Sequence, residues 1–208
     1  QNRGLEFALL LTLPAAAGAA SLAAPIVATL FDRGAFTAQD TTATSLALVA
    51  FSCGLPAHVL VKVLVPGFFA REDTVTPVRI AAVCLVSNVV LNLVLMGPLG
   101  HVGIATATAV SAWLNAGLLA FTLHRRGHFR LDARMKHRAP RIAAAALGMA
   151  ALLVAAQASA ATTPELAALP AWGRLCLWIA LGGAVYAIAA QASGAATFSE
   201  LRAALRRE

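Results

Sequence analysis

VRIAAVCLVSNVVLNLVLM, residues 78–96, decides how the rest of the chain is read. Its single charge, Arg79, lies at one edge, and apolar side chains occur at every angle around a helical wheel. A helix that is apolar on all sides has no face to give to water. At 1.5 Å per residue this run reaches about 28 Å, close to the ~30 Å of hydrocarbon in a bilayer. The run is therefore expected to be a membrane-spanning helix.

The same ruler fits five more times, at 5–30, 42–65, 102–123, 142–161 and 172–192. Composition agrees. Of 208 residues, 60% are hydrophobic and 12% charged, with a mean hydropathy of +0.78, against about 45–50% and about 25% in soluble domains. The fold class expected is all-α, a polytopic integral membrane protein with six transmembrane helices in this chain. The first run is too long for a signal-peptide core and has only Arg3, offset by Glu6, in its flank, so it is read as a span. The start at Gln1, without a methionine, is read as the start of a fragment.

Glycine, proline and charge collect between the spans. FDRGAFTAQD (31–40) offers Thr37 as a helix N-cap with Asp40 three residues on, the spacing of a capping box. PGFFAREDTVTP (66–77), GPLGH (97–101), HRRGHFRLDARMKHRAPR (124–141) and TTPELAALP (162–170) make the other connections. Three units follow: four helices over 1–124, a basic loop over 125–141, and two further helices with a basic tail over 142–208.

A net charge of +7 invites a nucleic-acid reading. Such a partner is not expected, because only 6% of residues are aromatic and the basic residues stand beside apolar runs instead of forming a solvated patch. Beside spans, basic residues set topology. Arg3, Lys62, Arg71, Arg79, Arg125, Arg126, Arg130, Arg134, Lys136, Arg138, Arg141, Arg202, Arg206 and Arg207 fall on one side, and Arg33 and Arg174 on the other. The positive-inside rule makes the rich side cytoplasmic and, with six spans, puts both ends of the chain there. The basic edge with His124 and His128 should attract anionic membrane lipids.

No zinc-protease, serine-hydrolase or nucleotide-loop motif occurs, and no carboxylate pair lies within a span, so an enzyme is not expected. Cys53, Cys84 and Cys176 lack disulfide or zinc spacing and read as packing residues. The informative minority is the polar and proline residues inside spans. Pro14 and Pro56 are candidate hinges, since each removes a donor from its helix. His58 and Lys62 share one face, which reads either as a cationic lining of a polar cavity or, more simply, as Lys62 reaching the cytoplasmic interface. Asn88, Asn92 and Thr108 read as a weak monovalent-cation site or, more simply, as interhelical hydrogen bonds.

PIVATLFDRGAFTAQDT (25–41), VKVLVPGFFAREDTVTPVRIA (61–81) and GPLGHVGIA (97–105) closely resemble, in this order, stretches of the MurJ/MviN family of bacterial lipid II flippases, in the multidrug/oligosaccharidyl-lipid/polysaccharide exporter superfamily. The resemblance implies fourteen helices in two lobes, of which this chain holds the last six. It implies a bacterial inner-membrane transporter for cell-wall peptidoglycan, whose partner is an undecaprenyl-linked peptidoglycan precursor flipped by alternating access. The last two helices would border a groove for the undecaprenyl tail, and the headgroup-binding residues would lie upstream. Lys62, Arg71 and Asp73 then become a candidate cytoplasmic gate, and Asp32, Arg33 and Phe36 a candidate periplasmic gate; topology anchoring and helix capping account for the same loops. Some members of the family are thought to hold a cation between the matching third and fourth spans, where the expected acidic ligand is here the amide Asn92. The alternatives are a cation-coupled exporter of drugs or of another polyprenyl-linked sugar, and a non-transporting scaffold for cell-wall synthesis. No other cofactor is expected.

Overall fold

A computed structural model describes residues 2–32, 34–129, 132–160 and 169–194. Among them the elements are α1 (Asn2–Ser21), α2 (Ala23–Phe31), α3 (Ala38–Leu64), α4 (Pro66–Phe69), α5 (Val75–Leu99), α6 (His101–Arg125), α7 (Ala133–Ala160) and α8 (Ala171–Ala192). Six helices are long and apolar enough to cross a membrane, α3 and α4 counting as one and α2 being too short to count. The described residues contain no strand. The all-α, six-span architecture read from hydropathy is the one observed.

The first span departs from expectation. A single helix over 5–30 is expected, but the chain forms α1 and α2 with an interruption at Leu22, whose φ and ψ are −99° and 11°. Pro25 explains the place: it has no N–H for the carbonyl of Ser21, and its ring crowds that carbonyl. The helix runs unbroken through Pro14 in α1 and through Pro56 in α3.

The helices form a row in the packing order α5, α6, α3, α1, α7, α8, with α2 against α3 and α8. Small residues allow the close approaches, because van der Waals contact rather than water exclusion holds helices together in lipid. A Cβ on Gly54 would stand 2.9 Å from Cα of Ala109, and Ala57, Ala105, Ala107, Ala112 and Ala116 are buried along the same seams. Gly100 turns α5 into α6 at φ +56°, a conformation open to glycine at no steric cost. At one end Leu5, Leu64, Phe68, Leu119, Leu123, Phe129 and Met135 pack into one cluster, while Leu22, Met149, Leu153 and Trp178 form another.

Residues 133–141 of the basic stretch are helical, the first turns of α7. Met135 and Ile142 are buried on its inner face. Arg134 Nε and Arg138 Nη1 lie 3.3 and 3.5 Å from the Glu6 carboxylate of α1.

Candidate functional site

Three assemblies stand out in this scaffold, two of them polar and the third an apolar groove. The first closes the end that carries most of the basic residues. Phe68 of the short α4 is buried in the cluster with Leu5 and Leu123, which fixes the turn that follows. In that turn Asp73 Oδ1 accepts the Thr76 amide at 2.9 Å, capping α5. From the end of α6, Arg126 Nη1 donates to Asp73 Oδ2 at 2.5 Å and Nη2 to Thr76 Oγ1 at 3.0 Å, its guanidinium 5.9 Å from the Phe68 ring centre. Hydrogen bonds from Thr76, then the bond and charge of Arg126, hold the Asp73 carboxyl well below the usual carboxylate range. Arg71 folds back, its Nη1 donating to the Gly67 carbonyl at 2.6 Å. Lys62 is exposed in the last turn of α3. Of Lys62, Arg71 and Asp73, the structure therefore places two in one turn and engages each with a different partner.

The opposite end is simpler. Thr37 and Asp40 form the capping box expected from their spacing, with the Thr37 amide donating to Asp40 Oδ2 at 3.0 Å and the Asp40 amide to Thr37 Oγ1 at 3.3 Å. Phe36 is half-buried, with its ring centre 6.1 Å from that of Phe31, and Asp32 is exposed. Arg33 lies outside the described residues.

The second assembly is the α5–α6 seam. Asn92 Nδ2 donates to Asn88 Oδ1 at 3.0 Å, Thr108 Oγ1 to the Ile104 carbonyl at 2.9 Å, and Ser111 Oγ to the Cys84 carbonyl of the facing helix at 3.3 Å. Asn92 Oδ1 is buried and accepts no hydrogen bond, and Asn115 Oδ1 on α6 is in the same position. The candidate oxygens are thus all neutral, and one has its lone pairs free. No cluster of three or more His, Cys, Asp or Glu side chains that could hold a metal occurs among the described residues.

The third assembly is a groove between the broken first span and the last two helices. It encloses about 440 Å³ and is lined by Pro14, Gly18, Leu22, Met149, Leu153 and Trp178 together with Ile179, Gly182, Gly183 and Tyr186. Glycine makes the room: the Cβ that Gly183 lacks would meet nothing within 4 Å. Two side chains tie its walls. Tyr186 Oη of α8 donates to the Leu10 carbonyl of α1 at 2.8 Å, and Gln157 Nε2 of α7 donates to the Ser21 carbonyl at 3.2 Å and to its own Leu153 carbonyl at 3.0 Å. A third such bond, from Trp113 Nε1 of α6 to the Cys53 carbonyl at 2.9 Å, sits beside Pro56.

Sequence reasoning picked out Pro14 and Pro56 but not Pro25, and none of the donors Arg126, Trp113, Gln157 and Tyr186 as partners. Pro14 and Pro25 carry a usable signal, because each names the carbonyl four residues earlier that takes the donor, whereas Pro56 names Ser52 and Trp113 bonds the neighbouring Cys53 carbonyl. The donor's identity depends on packing and has no sequence signal.

Comparison with known proteins places this architecture. The family model described as "Lipid II flippase MurJ" matches residues 1–168. The probable lipid II flippase MurJ of Rhizobium meliloti (strain 1021) is 44% identical over 210 residues, covering 100% of this chain and 39% of the relative. That of Vibrio cholerae serotype O1 is 40% identical over 151 residues, covering 73% of this chain and 29% of the relative. A solved structure of lipid II flippase MurJ in an inward closed conformation superposes with a TM-score of 0.73 at 24% identity, over 91% of this chain and 37% of that one, a likeness of fold. The chain thus spans well under half the length of the relatives it matches. A family match over most of the chain, joined to six apolar helices, makes it a member of the lipid II flippase MurJ family, multi-pass proteins of the bacterial inner membrane.

Proposed function

We propose that the protein carrying this chain moves a lipid-linked peptidoglycan precursor from the cytoplasmic to the outer leaflet by alternating access, as a transporter and not a catalyst. The relatives bear the name lipid II flippase, and one feature of this chain carries the reading beyond the name. The groove between α1–α2, α7 and α8 is apolar along its length, and the last two predicted spans, α7 and α8, border it. A polyprenyl tail needs such a surface, since a wall free of exposed polar groups keeps the tail in an all-hydrocarbon environment while its headgroup crosses. In this reading the basic end faces the cytoplasm, both chain ends lie there, and anionic lipid headgroups meet the arginines at the start of α7. Lys62, Arg71 and Asp73 then serve the cytoplasmic gate, Asp32, Arg33 and Phe36 the periplasmic one, and Pro56 bends as the lobes rock, while Pro14 sets the wall of the groove.

Gly183→Phe tests the groove. The position has open space, so the fold should tolerate the ring while the groove is filled. Translocation, read as precursor reaching a probe at the outer leaflet, should then stop with protein levels unchanged. Undiminished translocation would remove the groove from the mechanism.

The free lone pairs of Asn92 favour one addition, a monovalent cation held by Asn88, Asn92 and Thr108 that couples transport to an ion gradient. Neutral oxygens alone imply weak binding. Replacing sodium with choline in the same assay should then slow translocation in the parent and leave Asn92→Ala unaffected; equal rates in both ions would exclude the coupling.

A further inference from the structure

An α-helix carbonyl is satisfied by the amide four residues later, so Pro14 strips the donor from Leu10 and Pro25 strips it from Ser21. In hydrocarbon no water replaces it, and an unsatisfied carbonyl is costly. Both carbonyls have found side-chain donors from elsewhere in the chain: Tyr186 Oη on α8 for Leu10, and Gln157 Nε2 on α7 for Ser21. The two fastenings are eleven residues apart along the first span, about 16 Å at helical rise. Between and beside them lie Pro14, Ala15, Gly18 and Leu22, which form one wall of the groove, while Trp178, Ile179 and Gly182 form the other.

We infer that Tyr186 and Gln157 are positioning residues of the groove: they supply the donors that Pro14 and Pro25 withhold, and so clip α8 and α7 to the bent α1–α2 span. The groove then keeps one width, and the bend and the last two helices move as one body. The part this plays in transport rests on the flippase reading; the clip itself does not. Because each donor answers a particular proline, the effect of removing the donor depends on whether that proline is present. The substitution Pro14→Ala would return an amide to the Leu10 carbonyl, and the Tyr186 hydroxyl would then have nothing to repair. Packing of the ring alone predicts no such dependence.

The test uses the full-length protein in proteoliposomes of native lipid, with every native cysteine, Cys53, Cys84 and Cys176 among them, replaced by alanine and cysteines introduced at Leu11 and Ile179, which line the groove from α1 and α8. Bifunctional thiosulfonates of graded length report the groove width. Tyr186→Phe should raise cross-linking by the lengths that the parent excludes about three- to twentyfold, the range equivalent to one interhelical hydrogen bond in a membrane. In the Pro14→Ala background the same Tyr186→Phe change should have no effect, and Gln157→Leu should behave likewise with Pro25→Ala. An unchanged pattern in Tyr186→Phe, or an equal effect with and without Pro14, would overturn the proposal. If the pattern shifts and is rescued as expected while the parent protein translocates no precursor, the clip stands and the flippase reading falls.

Discussion

Asp73 shows what a single residue does here and how far its role is legible. Its place in a loop, ahead of Thr76 and Pro77, marks it as a helix-capping acid, and it accepts the Thr76 amide. Its second partner, Arg126, lies 53 residues away, and no periodicity links the two positions. Thr37 and Asp40 are the contrast: both halves of that capping box lie within four residues, so spacing alone was enough. The Asp73 carboxyl is held below the usual range by Thr76 and then Arg126. A depressed carboxylate contributes stability that is fully present above its unfolded pKa of about 3.9 and is lost as pH falls toward the lower folded value. Asp73→Asn should therefore lower the unfolding temperature of the detergent-solubilised protein at pH 7. The gap to the parent should narrow once the pH drops below about 4. A gap independent of pH would mean that the charge at Asp73 does not stabilise the fold.

At the scale of elements, length and hydropathy located every span, because a bilayer imposes one thickness on all of them. They did not locate the break at Leu22 or the helical turns at 133–141. Apolar runs look the same whether a helix is straight or interrupted, and a stretch as basic as ARMKHRAPR reads as loop until Met135 and Ile142 find a core and Glu6 pairs with Arg134 and Arg138. Faces are equally hard to read, since a helix that is apolar all round gives no stripe to point inward. Small residues are the remaining clue, and only contact tells which of them matter. Gly54 and Gly117 both sit inside helices, but a Cβ on Gly54 would stand 2.9 Å from the Ala109 backbone, whereas one on Gly117 would meet nothing within 4 Å. Gly54→Ala must push α3 from α6 and should cost about 1–3 kcal/mol, the usual range for overpacking. Gly117→Ala should be neutral or gain up to about 1 kcal/mol from helix propensity. Thermal unfolding of the two variants side by side checks this, and equal effects would remove the close α3–α6 approach as a determinant of stability.

Across the whole molecule the charge asymmetry acquires a structural basis. Counting basic residues on alternate sides of six spans assigns fourteen of sixteen to one side. The ion pairs show that those connections meet in space: Asp73 with Arg126 joins the α4–α5 turn to the end of α6, and Glu6 with Arg134 and Arg138 joins the start of α1 to the start of α7. The packing order was not legible, because it depends on which helix supplies a donor or a small residue to which neighbour. The proposed orientation puts this side in the cytoplasm, since translocating arginines outward is disfavoured. A cysteine introduced by Glu72→Cys, in the turn that holds Asp73, should therefore stay unlabelled by an impermeant maleimide applied to spheroplasts, and react once the inner membrane is opened. One introduced by Ala35→Cys, between α2 and α3, should react at once in intact spheroplasts. Every native cysteine of the protein, Cys53, Cys84 and Cys176 among them, is removed first, so that each signal comes from the introduced site. Labelling of position 72 from outside with position 35 protected would invert the molecule, and with it the assignment of the two gates.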